Sequence, residues 1–477
     1  MEMTAYSFTR QRGRPLYEQL YRQIRDKIIS GELSFGEKLP SKLRLAESLG
    51  LSKNTVETAY EQLAVEGYID PRPKRGFFVC FQDKLGSRPA GRPLGQADPM
   101  ENAGIQPDDG VRFFADFNPG WIDPAYFPYA KWRKYCREAL DDSSGQILQI
   151  GDNKGEYRLR VQLAEYLRCA RGARCRPEQI IVGAGMEVLL SQLHMLLGRD
   201  ACYGLEDPGY ALPRRLLMRL TDRVLPVPID EQGLQPQVLG KTSANVAYVT
   251  PSHQFPYGSV MPAGRRQELL HWAMEREERY ILEDDYDSEF RYSGRPVDAL
   301  LSMDTDGRVV YFGTFSKALI PSLRIGFMAL PERLVERYNR RLDFYHSTVS
   351  RIDQTALAHF MEEGDFERHV GRMRKIYRRK LERVRKLLEP YKDRIRLLGD
   401  NAGFYVLLQV DAGLDEGELC RRAGKAGLRI GGLSDQMPSA GDKGPPGILL
   451  GFAGLPEDKI EPAIKRLLAC WGLDGCI

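Results

Sequence analysis

Five short apolar runs punctuate the last two thirds of the chain: IIVGAG from Ile180, VAYVT from Val246, YILEDDY from Tyr280, VVYFGTF from Val309 and IGFMAL from Ile325. Each is too short for a core helix, each is rich in β-branched and aromatic residues, and longer amphipathic stretches separate them. Runs that are apolar on both faces predict strands covered on both sides, which means a mostly parallel sheet with helices above and below it. The fold class expected is therefore α/β. A chain of 477 residues has room for such a domain and for a second one beside it. Its 42% hydrophobic and 28% charged residues are those of a globular protein, and a net charge of +4 says little by itself about nucleic acid. No run of 18 apolar residues is present, so no membrane span is expected. The opening MEMTAYSFTRQRGRPLYEQL lacks the apolar stretch of a signal peptide, which points to the cytoplasm. Eight scattered cysteines without a CxxC pair read as reduced thiols, and no metal site is expected.

Composition divides the chain into three parts. Residues 82–110 (QDKLGSRPAGRPLGQADPMENAGIQPDDG) are rich in Pro, Gly, Asp and Asn and have no apolar periodicity, so they read as a linker. Residues 1–81 before it and 111–477 after it are the two expected domains. In the first, Leu16, Leu20, Ile24 and Ile28 form one stripe of a helix. Ser41 caps a second helix ending at Leu49, and Gly50 makes a turn. Ser52 then caps a third helix predicted over Lys53–Gly67. Helix, glycine turn, helix is the DNA-reading arrangement in which the second of the pair enters the major groove. The polar residues at its start, Ser52, Lys53, Asn54 and Thr55, are placed to reach base edges and phosphates. The following PRPKRG turn and FFV strand form a basic wing carrying Arg75. Further on, residues 366–396 are predicted as one amphipathic helix. Its arginines and lysines form either a solvated face or an extra DNA-contacting patch.

The chemistry centres on GTFSKAL, residues 313–319. Lys317 stands 33 residues after Asp284 and seven before Arg324. A lysine after a small hydroxyl run, with an arginine one loop later, suits covalent capture of an aldehyde cofactor bearing a phosphate. The amine forms a Schiff base, and Ser316 and Arg324 hold the phosphate. Asp284 could keep a pyridine nitrogen protonated, with Asp285 as a competing candidate, and Tyr286 could donate to the ring oxygen. Gly185 and Met186 open a helix after the first apolar run, where main-chain N–H groups attract phosphate. Tyr210, in EDPGY, is placed to stack on the ring.

The order LPSKLRLAESLGLSKNTVETAYEQLAVEGYIDPRPKRGFFV resembles the GntR-type winged helix. The later motifs LAEYLRCARG, EDPGY, EDDYDSEFRY, GTFSKAL and LRIGF resemble a fold-type I aminotransferase. Together with the linker, almost the whole chain resembles the MocR/GabR subfamily of bacterial regulators. The resemblance implies a winged helix joined to a pyridoxal-phosphate (PLP) domain with a smaller C-terminal α+β part, and it favours Asp284 over Asp285. It also implies a double-stranded DNA operator as partner and a homodimer, since fold-type I sites sit at subunit interfaces. The linker, with an r.m.s. span on the order of 30 Å, is long enough to cross over. Several positions depart from the family. Leu43 stands where these domains carry an arginine, and Met186 where relatives carry a hydroxyl residue. Phe255 replaces the asparagine that bonds the ring oxygen, which leaves that oxygen to Tyr286 with His253 or Gln254. Ile150 replaces a tyrosine that reaches the partner's phosphate, and Leu212 an arginine that holds an effector carboxylate. Arg429 remains as a carboxylate partner or a structural residue on a strand edge. The expectation is a transcriptional regulator sensing PLP or a PLP-reactive amine, acting on vitamin B6 or amino-acid metabolism, with PLP itself favoured as the signal. The alternative is a working aminotransferase with an added DNA-binding domain.

Overall fold

A computed structural model describes residues 6, 8, 15–81, 113–141, 145–292, 297–436 and 446–473. The chain separates into two units, Met1–Gly110 and Val111–Ile477. The predicted linker, 82–110, lies outside the described residues.

In the first unit, α1 (Leu16–Ile29) buries Leu20, Ile24 and Ile28, while Leu16 at the head of the expected stripe stays exposed in the first turn. The second helix, α2 (Lys42–Leu49), starts at Ser41, whose side chain accepts from the Arg44 N–H, and stops at Gly50, which takes the left-handed conformation. In α3 (Lys53–Val65), Val56, Ala59, Tyr60 and Leu63 face the shared core and are fully buried. The larger apolar side chains, Val56 and Leu63, contribute on the order of 1.5–3 kcal/mol each on burial. α3 ends two residues short of the predicted Gly67. Strands β1 (Ile69–Arg72) and β2 (Gly76–Val79) then pair antiparallel from Ile69↔Val79 to Arg72↔Gly76 and close the wing.

The second unit is built on an eight-stranded sheet. Its strands are β4 (Ile180–Gly183), β5 (Tyr203–Asp207), β6 (Val224–Asp230), β7 (Gly233–Leu234), β8 (Val246–Val249), β9 (Tyr280–Asp285), β10 (Val309–Thr314) and β11 (Gly326–Ala329). Their order is β4-β11-β10-β9-β8-β5-β6-β7. The β10, β9, β8, β5 and β6 neighbours pair parallel, and β11 runs against both β10 and β4. Burial on both faces is visible in β4, where Ile180 and Val182 join one hydrophobic cluster and Ile181 another. All five apolar runs are strands, so the α/β reading is the observed fold.

A smaller antiparallel sheet follows, ordered β12-β13-β16-β15 from Ile395–Leu398, Tyr405–Val410, Gly447–Gly451 and Gly431–Gly432. Beside it, β14 (Leu428–Arg429) pairs parallel with β3 (Ala115–Asp116), in the register Arg429↔Asp116. The basic helix is shorter than predicted. It spans Asp365–Leu388, and residues 389–396 leave it because Pro390 cannot continue the helical hydrogen bonding. Several of its cations are engaged within the unit: Arg379 with Glu457 and Arg383 with Glu461, both at 2.7 Å, and buried Lys380 with Asp123 at 2.9 Å. That favours a structural face over an extra DNA patch. Among the described residues no helix is long and apolar enough to cross a membrane.

Candidate functional site

Parallel strands expose their carboxyl ends along one edge, and the loops leaving them form a crevice there. The loops after β4, β5, β8, β9 and β10 meet in a cavity of about 580 Å³. Lys317, Ser316, Arg324, Asp284, Tyr286, Tyr210, Met186 and Arg429, distant in sequence, all line it.

Strand alternation sorts the acidic cluster. Asp284 faces the cavity, buried, and accepts a short hydrogen bond from Tyr248. Its neighbours Glu283 and Asp285 face the other side. Glu283 accepts the Leu300 and Leu301 N–H groups at 2.7 and 2.9 Å, and Asp285 pairs with buried Arg171 at 2.7 Å. The pleat thus turns Asp284, and not Asp285, toward the cavity. Burial pushes the Asp284 carboxyl up to about 7, with Asp285 and Asp287 adding to the rise and the Tyr248 bond opposing it.

Lys317 donates to the Pro119 carbonyl at 2.8 Å. Burial lowers its amine to about 8, against the pull of Asp287, so about a tenth is neutral and nucleophilic at pH 7, far more than for an ordinary lysine. Ser316 follows β10, and its buried hydroxyl has no hydrogen-bond partner among the described residues. Arg324, in the left-handed conformation at φ 51°, pairs with Glu187 at 2.5 Å.

The helix start after β4 differs from expectation in one respect. The Gly185 N–H donates to the Gly183 carbonyl at 2.8 Å, so it is not presented to the cavity. Gly185 contributes room instead: at φ +94° a Cβ there would run into the Arg324 guanidinium. Met186 opens the helix Met186–Leu197 at the cavity wall. Tyr286 is also more occupied than expected, since its hydroxyl donates to the His253 carbonyl at 2.9 Å and lies 3.2 Å from the Tyr405 hydroxyl. Of its expected helpers, Gln254 turns its amide to the Pro208 carbonyl and Glu206, and His253 is held by Asp287 at 2.7 Å. Tyr210 meets Phe255 edge-on at 5.5 Å. Arg429 faces Asp116 across the β14–β3 register at 3.7 Å and lines the cavity as well. Ile150 is 76% exposed and outside the cavity.

These residues fit PLP. A buried carboxylate with no cation beside it among the described residues suits a protonated ring nitrogen, a hydroxyl without a described partner beside an arginine and a helix start suits a phosphate, and a depressed lysine suits the aldehyde. When bound, the cofactor supplies an electrophilic carbon and an electron sink. Lys317 would be the nucleophile toward that carbon, and Asp284 would hold the ring nitrogen protonated. Sequence reasoning missed Tyr248, the Asn118–Gly120 loop beneath Lys317, and Asp435. A tyrosine in VAYVT reads as a core residue, and nothing local ties residue 119 to residue 317.

The DNA-reading elements form their own surface. Ser52 accepts the Thr55 N–H at 3.1 Å and lies 2.8 Å from the Thr55 hydroxyl, which fixes the head of α3. Lys53 and Asn54 are exposed there, and Arg75 is exposed at the wing turn after Lys74, at φ 59°. Leu43 is 57% exposed and Arg44 is exposed beside it.

The family of bacterial regulatory proteins, gntR family, matches residues 16–79, and aminotransferase class I and II matches residues 123–430. The uncharacterized HTH-type transcriptional regulator YdeL of Bacillus subtilis is 40% identical, over 96% of this chain and 97% of its own. A protein of Rhizobium meliloti described as "Probable rhizopine catabolism regulatory protein MocR" is 33% identical, over 95% and 93%. The chain belongs to the MocR type of GntR-family regulators. This MocR-type chain is also 33% identical to the pyridoxine biosynthesis regulator PdxR of Corynebacterium glutamicum, over 94% of each. Its second unit is similar to the aminoadipate aminotransferase LysN of Thermus thermophilus, solved with N-(5'-phosphopyridoxyl)-L-leucine. That similarity has a TM-score of 0.66 and 25% identity, and covers 78% of this chain and 95% of LysN. PLP is thus the cofactor of the second unit, and the first unit is a DNA-binding winged helix.

Proposed function

We propose that this MocR-type regulator binds an operator through Ser52, Lys53, Asn54, Thr55 and Arg75, holds PLP on Lys317, and changes its DNA binding when PLP or a PLP-reactive amine occupies the cavity. The observation that carries this reading is one cavity joining Lys317, Asp284, Ser316 and Arg324 in a chain that also bears a winged helix. Arg429 is the residue assigned to an effector's carboxylate. Leu212 at the cavity wall offers no charge-assisted bond to a second one, which argues against a dicarboxylate effector. The named role of PdxR supports control of vitamin B6 supply, and an amino-acid effector is the alternative. The reading places the protein in the cytoplasm as a homodimer, in which Leu148 and Ile150, 81% and 76% exposed in the single chain, are covered by the second copy. An active aminotransferase is the second reading, favoured by Arg429 and Lys317 sharing one cavity.

The deciding experiment measures binding to the DNA upstream of the chain's own reading frame, with and without PLP and with candidate amines. A PLP- or amine-dependent change in affinity is expected. Identical binding under every condition would refute the regulatory reading, and steady turnover of a keto acid would favour the enzyme.

A further inference from the structure

The charges around the cavity do not balance evenly. Arg324 is paired with Glu187 at 2.5 Å, and Arg429 already faces Asp116 at 3.7 Å. Asp284 is buried at the strand end where a protonated ring nitrogen would sit. Asp435, on the turn Ser434–Gln436, also lines the cavity and has no ion pair among the described residues. Its carboxylate comes within 3.9 Å of the point where a Cβ of Gly431 would lie, so no side chain at 431 stands between them. Leu212, Leu449 and Ile430 supply apolar wall in the same cavity. Apolar wall and a carboxylate without an ion pair among the described residues, in one cavity, complement a methylene chain that ends in an ammonium group. A dicarboxylate would find Arg429, already faced by Asp116, and Asp435, which has no ion pair among the described residues, to repel it.

We infer that the amine read by this cavity carries a second positive charge, as in a basic amino acid or an α,ω-diamine, and that Asp435 is the residue that selects it. The inference rests on the reading that Lys317 holds PLP and exchanges it with amines. In that exchange the incoming amine nitrogen bonds to the cofactor's former aldehyde carbon as the bond from that carbon to Lys317 Nζ breaks. The C=N double bond is thereby passed from Nζ to the incoming nitrogen, the three protons of the incoming ammonium end on Nζ, which leaves as the Lys317 ammonium, and nothing is oxidised or reduced.

The test titrates L-lysine, L-norleucine, cadaverine and L-glutamate into the PLP-loaded protein at low ionic strength, following the cofactor absorbance and operator binding. Lysine should half-saturate at about one fifth the concentration of norleucine, the upper range for a solvent-exposed charge pair. Glutamate should be the weakest of the amino acids. In Asp435→Asn the lysine curve should move onto that of norleucine, and in the unaltered protein 0.5 M salt should erase the same difference. Equal lysine and norleucine curves in the unaltered protein, or a preference that survives in Asp435→Asn, would overturn the inference. If no amine shifts the absorbance while PLP still alters DNA binding, the role of Asp435 falls and the cofactor reading stands. Borohydride failing to trap PLP on Lys317 would remove both.

Discussion

The winged helix and the cofactor cavity are assembled in opposite ways. In the first unit the working residues are neighbours in sequence: Ser52 to Thr55 form one helix start, and Arg75 lies on a hairpin that follows the same helix. In the second unit the cavity draws on residues from Asn118 to Leu449, and every wall comes from a different loop. A function borne by one local element needs only that element's cap and core. A function borne by five strand ends needs the whole sheet in register. The first should therefore respond to substitution in small, separable steps, and the second sharply.

Lys317→Ala tests the sharp side with the largest effect. Borohydride trapping of PLP should be abolished, while DNA binding measured without cofactor matches the parent protein; loss of both would mean the units are not separable in this way. Asp284→Asn removes the charge facing the ring nitrogen and should weaken PLP retention by about 1.5–3 kcal/mol, measured by dialysis against apo-protein. Retention equal to the parent would return the role to Asp285. On the local side, Asn54→Ala should cost about 1–3 kcal/mol on the cognate operator and little on random DNA, as read by competition binding. The rate of PLP capture should rise roughly tenfold between pH 7 and pH 9 and then level off. The Lys317 amine, lowered to about 8, loses its proton over that range, and the neutral form is the nucleophile. A flat profile would mean that burial does not tune this lysine. Smallest is Arg75→Ala, which should weaken all DNA alike and reduce the slope of log affinity against log salt by about 1.

Much of the fold was legible because its signals are local. The apolar runs from Ile180, Val246, Tyr280, Val309 and Ile325 are all strands, and Ser41, Gly50 and Ser52 stand at the helix ends that their chemistry implies. Boundaries were less legible. Glu389 and Pro390 end a helix whose apolar pattern runs on toward Arg396, because the missing N–H outweighs the periodicity. At the cavity, spacing and resemblance brought Lys317, Asp284, Tyr286 and Arg324 into view, but not what each already touches. Gly185 spends its N–H on Gly183, and Tyr286 is bonded to the His253 carbonyl, contacts that depend on how a turn closes rather than on which residues it contains.

By itself the sequence determined the type of its main elements and pointed to Lys317 and its companions as candidates, since caps, periods of two and 3.6 residues, and a lysine after a hydroxyl run are properties of contiguous chain. Only the tertiary structure decided which carboxylate of Glu283-Asp284-Asp285 meets the cavity, that Pro119 lies under Lys317, and that Asp116 faces Arg429. Those outcomes depend on strand register and on loops hundreds of residues apart converging at one sheet edge. No local preference encodes that convergence; it exists once the buried faces of the sheet have packed.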